Sequence, residues 1–215
     1  MAQSIQQTLF KPLFEASIKR LRRCWLRHVC SFSILALVCL MAPGPGYADA
    51  PCGEADRLCK TPLGEYAIAL PEEATDSPVP ALLYFHGAGG SGPRVMRNSG
   101  MINAFKERGY AIIAPSGLKR PNSRFGPGWS FLPIREKQRD ELLFARQVLA
   151  DAAKRHNIDR DMVLVSGFSV GGSLTWYLAC QDPSLGRAFA PVAGAFWRPH
   201  PQSVDCAGPV KLLHT

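Results

Sequence analysis

The stretch that decides the fold of this chain is DMVLVSGFSVGGSLTWYLAC, residues 161–180. It opens with a short apolar run, residues 162–165, which is typical of a buried strand. The sequence Gly-Phe-Ser-Val-Gly-Gly follows at residues 167–172, and a helical pattern of apolar residues comes next. Glycines two positions before and after Ser169 let a strand and a helix pass closely. The pattern therefore predicts Ser169 on a strained turn, with its hydroxyl exposed at the edge of a sheet.

This succession of strand, G-x-S-x-G and helix resembles the nucleophile elbow of α/β-hydrolases. The backbone N–H of Val170 would then point into the first turn of the helix, where the helix dipole helps to hold an oxyanion. A glycine-rich turn with an incidental serine is the alternative. The strand and helix patterns on either side of Ser169 favour the elbow.

A second glycine-rich segment, HGAGGSG at residues 86–92, follows a predicted buried strand. It resembles the HGGG-type loop that supplies the other oxyanion N–H in the same fold, so Ala88 is predicted to act with Val170. A phosphate-binding loop is the alternative, but a Walker lysine is absent. His86 ends the strand, and we interpret it as a structural histidine that bonds neighbouring backbone.

The remaining chain alternates predicted strands and helices, which indicates an α/β fold with a mostly parallel sheet and helices on both faces. Asn98 is predicted to cap one helix, and Gly109 to end it. The acidic residues Asp140 and Glu141 are interpreted as the solvated start of the longest helix, because acids favour the positive end of the helix dipole. The predicted strands are residues 65–70 (at an edge of the sheet), 81–85, 110–114, 162–165, 187–196 and 210–213, and the longest helix is predicted over residues 137–156.

A long loop at residues 118–133 carries Trp129 and Phe131. Two interpretations are open for this aromatic pair. The side chains either line a substrate cleft or pack down onto the core.

The charge of the chain is concentrated at its N-terminus. The formal net charge is +8, but residues 1–48 hold six Lys/Arg and one acid, which leaves 19 basic and 16 acidic residues, or +3, for the rest. A net charge of +3 is too small to indicate the basic surface of a protein that binds DNA or RNA. We therefore expect no nucleic-acid partner.

The same N-terminal segment has the pattern of a signal peptide. A basic region precedes the apolar run of 14 residues at 29–42, and small residues then lead to a cleavage site after Ala48. A retained membrane anchor is the alternative, but a span needs about 20 apolar residues. We predict a signal peptide over residues 1–48, a hydrolase domain over residues 49–215, no stable membrane anchor after cleavage, and a secreted or periplasmic location.

Export leaves four cysteines in an oxidising compartment, where disulfides persist. Four cysteines allow three pairings. We favour Cys52–Cys59, which closes a local loop, and Cys180–Cys206, which ties the end of the predicted nucleophile helix to the loop before the last strand. A zinc site is the alternative, but no C-x-x-C or nearby histidine pair supports it.

The stretch from residue 50 onward also resembles secreted polyhydroxybutyrate depolymerase-like esterases, a group close to feruloyl and acetylxylan esterases. The matching motifs are HGAGG at residues 86–90, RNSGMINAF at 97–105, GFSVGG at 167–172 and PVAGAFWRPHP at 191–201. The resemblance implies a serine esterase with Ser169 as nucleophile and the N–H groups of Ala88 and Val170 as oxyanion hole. It implies an ester substrate, either a short-chain hydroxyalkanoate or a plant-wall ester, and no metal or organic cofactor.

The order of a triad in this fold is serine, acid, histidine. Only His200 and His214 follow Ser169, and neither matches the catalytic position of the family. Asp205 lies between the last two predicted strands but is a weak candidate for the acid. The sequence therefore predicts a C-terminally incomplete hydrolase domain without its catalytic acid and histidine. Either the esterase activity belongs to a longer gene product, or the chain is a non-catalytic domain that binds esters or a partner.

Overall fold

The computed structural model describes residues 52–53, 57–72, 77–121, 124–132, 137–202 and 205–215. The predicted signal peptide and its cleavage site lie outside the described residues. Within these ranges, no helix has the length and apolar character to cross a membrane.

A six-stranded sheet forms the centre of the described domain. Its strands are β1 (Cys59–Thr61), β2 (Gly64–Ala69), β3 (Val79–Phe85), β4 (Ala111–Pro115), β7 (Ile158–Phe168) and β8 (Ala188–Val192), in the spatial order β1-β2-β4-β3-β7-β8; β5 (Leu118–Lys119) and β6 (Pro127–Gly128) lie outside it. The four strands β4, β3, β7 and β8 pair in parallel, while β1 and β2 pair antiparallel at one side. A separate two-stranded sheet joins β5 and β6.

In the described part of the chain, four α-helices flank the sheet: α1 (Gly92–Met96), α2 (Ser99–Lys106), α3 (Glu141–His156) and α4 (Val170–Gln181). The predicted cap of α2 is confirmed, because Asn98 Oδ1 accepts a hydrogen bond from the Met101 amide at 3.3 Å. The prediction that the longest helix starts at residue 137 is wrong. Asp140 caps α3 by accepting from the Leu143 amide at 3.0 Å, so the helix begins at the next residue.

Helices cover both faces of the sheet because side chains alternate along each strand. In β3, Leu83 and Phe85 point into the larger core, which α3 and α4 complete with Phe144 and Leu174. Leu82 points to the opposite face and packs with residues of α2. The predicted mostly parallel α/β architecture is therefore confirmed.

Three strand predictions need correction. The strand near residues 65–70 is not at the edge, because β1 pairs with β2 on its outer side. The strand predicted over residues 187–196 ends at Val192, because Ala193 adopts a positive φ of 50° and turns the backbone away. The strand predicted over residues 210–213 is present only as an isolated parallel bridge between Leu212 and Phe189 of β8.

Both predicted disulfides are confirmed. Cys52 pairs with Cys59, and Cys180 at the end of α4 pairs with Cys206. The first closes a loop over seven positions and the second over 26. Each disulfide stabilises the fold by restricting the conformations of the unfolded chain. This effect grows with the length of the closed loop, so Cys180–Cys206 contributes more.

Candidate active site

Ser169 lies at the sharp turn between β7 and α4, at the carboxyl end of the parallel strands. Its backbone has φ 55° and ψ −119°, a conformation that costs on the order of 1–3 kcal/mol for a residue with a side chain. The Ser169 amide donates to the Val192 carbonyl at 3.0 Å, which ties the turn to the end of β8. The predicted strained turn is therefore present.

The glycines of the motif are required by close backbone contacts. A Cβ on Gly171 would collide with the carbonyl oxygen of Phe85, and one on Gly172 would lie 2.6 Å from the carbonyl oxygen of Val192. The first turn of α4 therefore packs directly against the ends of β3 and β8. This contact explains why small residues follow Ser169.

Replacing Gly171 by alanine should therefore destabilise the fold. We expect Gly171→Ala to lower the free energy of unfolding by about 2 kcal/mol, because rigid backbone must move to admit the methyl group. Gly100→Ala is the matched control, since a Cβ at that exposed position of α2 meets only Asn98 Oδ1 at 3.8 Å. Alanine should stabilise the helix there by up to about 1 kcal/mol. Urea unfolding of both variants checks the pair, and an equal or smaller loss for Gly171→Ala would contradict the packing argument.

The loop after β3 passes directly beside Ser169. A Cβ on Gly87 would stand 3.6 Å from the Ser169 Cβ. The Gly89 amide is engaged, because it donates to the Pro127 carbonyl at 2.8 Å. Among the described residues, neither the Ala88 amide nor the Val170 amide has a hydrogen-bond acceptor. Val170 follows Ser169 in the chain, and Ala88 lines the same cleft as Ser169.

His86 is structural, as predicted. Its Nε2 accepts from the Gly117 amide at 2.9 Å, so its Nδ1 carries the proton and donates to the Gly87 carbonyl at 2.7 Å. Its carbonyl accepts from Trp129 Nε1 at 2.8 Å. Burial lowers the pKa of His86, and the nearby Arg139 guanidinium adds to that shift. Both ring nitrogens are occupied, so His86 is unsuited to accept the Ser169 proton.

A buried ion pair between Arg139 and Glu141 supports the loop that carries Trp129 and Ser130. The sequence did not indicate this ion pair. Arg139 and Glu141 are 5% and 4% exposed, and Arg139 Nη2 lies 2.8 Å from Glu141 Oε2. Glu141 Oε1 accepts from the Ser130 amide at 2.9 Å. Burial raises the pKa of Glu141, and the Arg139 guanidinium opposes that shift. The interpretation of Glu141 as part of a solvated helix start is therefore wrong.

Arg139 also reaches two carbonyls and two aromatic rings. It donates to the carbonyls of Leu63 and Ser116, both at 3.2 Å. Its guanidinium lies 3.7 Å from the ring centre of Phe144 and 5.7 Å from that of Trp129. Arg139 thus joins the start of β2, the end of β4 and the loop that holds His86 in place.

Two clefts adjoin the turn. An apolar cleft of about 360 Å³ is lined by aromatic residues and by Ala88 and Val170. Trp129 and Phe131 wall it while being only 6% exposed, so both interpretations of this aromatic pair hold. A second cleft of about 380 Å³, which Ala88 also lines, is lined by Ser169 and by polar groups that include Arg94.

The histidines that follow Ser169 are engaged or exposed elsewhere. His214 Nε2 donates to the Gly194 carbonyl at 3.0 Å, and its ring lies 5.6 Å from that of Trp176. His200 is exposed in the loop after β8. Asp205 accepts from the Gln202 amide at 2.7 Å. Within the described ranges, Ser169 Oγ makes no hydrogen bond to a base.

One group of described side chains has the composition of a metal site. The ligand atoms of Cys52, Cys59 and His156 lie within 4.8 Å of one another. The two sulfurs are bonded to each other, however, and metal binding by cysteine needs the thiolate. The zinc alternative is therefore not supported in the disulfide form.

The parallel strands β4, β3, β7 and β8, the helices on both faces and the strained serine turn after β7 together define an α/β-hydrolase fold. Solved structures agree. The S-formylglutathione hydrolase of Agrobacterium tumefaciens superposes with a TM-score of 0.54 at 18% identity, over 64% of this chain and 56% of that one. The fluorophosphonate-binding serine hydrolase FphF of Staphylococcus aureus has a TM-score of 0.52 at 17% identity, over 64% and 55%.

Sequence comparison points to esterases. The protein named "Putative esterase NocK" of Nocardia uniformis subsp. tsuyamanensis is 32% identical over 151 residues, which are 68% of this chain and 40% of NocK. The bifunctional acetylxylan esterase/xylanase XynS20E of Neocallimastix patriciarum is 28% identical over 115 residues, 54% of this chain and 16% of that protein. The chain thus spans less than half the length of either curated relative. No protein-family model matches it.

Proposed function

We propose that the protein containing this chain is a serine carboxylic-ester hydrolase that works through an acyl-enzyme on Ser169. The observation that carries the proposal is the strained turn of Ser169 between β7 and α4, beside a glycine loop with an unengaged amide. Such a turn exposes the hydroxyl of a nucleophile at the top of the sheet. The esterase names of both sequence relatives support the same reaction.

The reaction follows from the positions of these groups. Ser169 Oγ attacks the ester carbonyl carbon while a general base takes its proton, and the carbonyl oxygen becomes an oxyanion. The N–H groups of Ala88 and Val170 are proposed to hold that oxyanion, since both lack an acceptor among the described residues. Loss of the alcohol leaves an acyl ester on Ser169, which water then hydrolyses.

The base and its orienting acid are proposed to come from sequence outside these 215 residues. Three described histidines make contacts of their own: His86 has both ring nitrogens bonded, His214 binds the Gly194 carbonyl, and His156 lies beside Cys59. The greater length of the curated relatives leaves room for such a segment.

The proposed substrate is an ester of the polyhydroxybutyrate depolymerase-like type, a short-chain hydroxyalkanoate or a plant-wall ester. The apolar cleft beside Ala88 and Val170 supports an apolar acyl group next to the oxyanion donors. The acetylxylan esterase relative supports the plant-wall alternative. We further propose that residues 1–48 direct export and are removed, leaving residues 49–215 as the hydrolase domain, and the two disulfides support an oxidising location.

A second candidate is a non-catalytic hydrolase domain that binds esters or a partner. This candidate is favoured because no base is bonded to the Ser169 hydroxyl within the described ranges. Loss of a triad member costs on the order of 10⁴-fold in rate.

Hydrolysis of p-nitrophenyl butyrate separates the two candidates. The 215-residue chain is expected to hydrolyse it close to the buffer rate, because no base among the described residues is bonded to the Ser169 hydroxyl. The chain extended with the corresponding C-terminal segment of a longer esterase relative should gain on the order of 10⁴-fold. No gain in a folded extended protein would favour the non-catalytic domain. Turnover by the 215 residues alone, lost in Ser169→Ala, would show that they contain a base.

A further inference from the structure

A histidine lies against one of the two disulfides, far along the sequence from both cysteines. His156, the last residue of α3, places its Nε2 3.9 Å from the sulfur of Cys59. The ring packs beside Gly53, where a Cβ would stand 3.0 Å from its Cε1 and φ is +102°. The residue next to Cys52 therefore has no side chain at the place where the imidazole approaches the sulfurs.

The two disulfides form an internal comparison. Each joins a buried cysteine to a half-buried one: Cys59 is 1% exposed and Cys180 is 8% exposed, while Cys52 and Cys206 are half-buried. They differ in their surroundings. The first disulfide lies beside the His156 ring. At the second, within the described part of the chain, the Cys206 sulfur lies 4.0 Å from the carbonyl oxygen of Gln202.

We propose that Cys52–Cys59 is a thiol–disulfide exchange site at which a low-molecular-weight thiol, such as glutathione, modifies Cys52. Cys52 is half-buried and is therefore the residue at which a thiolate attacks, whereas Cys59 is buried. The thiolate sulfur forms a bond to Cys52 as the bond between Cys52 and Cys59 breaks. The electron pair of the broken bond stays on the Cys59 sulfur as a thiolate. The imidazolium form of His156 gives that thiolate a proton, which leaves a Cys59 thiol and a neutral imidazole.

The position of His156 suits this step, because exchange is faster when the departing sulfur is a better leaving group. Among the described residues, the charged groups that act on the ring are Asp151 and Arg155 on its own helix, and Asp151 also accepts from Tyr66 of β2. Burial lowers the pKa of His156, Arg155 adds to that shift and Asp151 opposes it. An imidazolium with a lowered pKa is a stronger acid, so it passes its proton readily to a thiolate.

Differential alkylation of the whole chain tests the site. Existing thiols are blocked with N-ethylmaleimide, reduced glutathione is added, and newly released thiols are labelled with a heavier maleimide and mapped by peptide mass. Cys52–Cys59 is expected to open at least about fivefold faster than Cys180–Cys206, with glutathione on Cys52 and the free thiol on Cys59. Equal rates, faster opening of Cys180–Cys206, or glutathione found on Cys59 would overturn the proposal.

The His156→Gln variant tests the imidazole itself. We expect it to slow opening of Cys52–Cys59 about fivefold and to leave Cys180–Cys206 unchanged, while His200→Gln, at an exposed histidine, changes neither. The rate of opening of Cys52–Cys59 is also measured as a function of pH and divided by the fraction of glutathione present as thiolate. In the unchanged chain this corrected rate should rise as the pH falls below the ordinary histidine pKa. In His156→Gln it should stay constant. A flat profile in both would overturn the role of His156. Should His156→Gln not fold, the comparison of the two disulfides and the pH profile of the unchanged chain decide.

Discussion

Replacing Ser169 by alanine is expected to abolish covalent labelling of the protein by a fluorophosphonate probe. The probe traps a serine whose hydroxyl is activated and whose neighbouring amides can hold an oxyanion. Of the described serines, Ser169 is the one that lies on a strained turn between a strand and a helix. In the C-terminally extended protein, loss of this hydroxyl should also lower kcat on the order of 10⁶-fold.

The measurement is peptide mass mapping after incubation with the probe. Ser99→Ala is the matched control, because Ser99 is exposed at the start of α2, away from the turn. It should label like the unchanged protein. The 215-residue chain should label slowly at the same position, since its Ser169 has no bonded base within the described ranges. Equal labelling of Ser169→Ala and the unchanged protein would remove Ser169 from the mechanism.

Replacing Arg139 by methionine is expected to lower the free energy of unfolding by about 3–5 kcal/mol. The change leaves Glu141 buried without its cation and removes a donor from the carbonyls of Leu63 and Ser116. Because a domain of this kind has a total stability of about 5–15 kcal/mol, the variant should be close to unfolding. Urea denaturation followed by circular dichroism measures the loss.

Arg146→Met is the control for the loss of an ion pair near the surface. Arg146 binds Asp182 at 2.7 Å, but the arginine side chain is 52% exposed, so we expect a loss of about 1 kcal/mol or less. The double variant Arg139→Met/Glu141→Leu should recover part of the stability, because it removes the buried charge as well. A loss below about 1 kcal/mol for Arg139→Met would show that the buried pair contributes little.

The turn at Ser169 could be predicted from the sequence because its determinants are local. A strand, a helix and the glycines between them lie within twenty consecutive residues, and each glycine prevents a collision with a nearby backbone. The Asn98 cap is local in the same sense, since its side chain binds an amide three positions on. The number and placement of the four cysteines favour the two disulfide pairings without any knowledge of the distances between the sulfurs.

Other features were decided only by the tertiary structure, because they join residues far apart in the sequence. Arg139 contacts Leu63 across 76 positions, so no pattern near Arg139 indicates that its charge is buried. The same holds for His156, which meets Cys59 across 97 positions. The sequence by itself determined where the chain turns sharply and which residues form the parallel core. Which charges are buried, and which histidine lies beside which sulfur, depended on how the strands and helices pack, because burial and pairing are properties of the assembled fold.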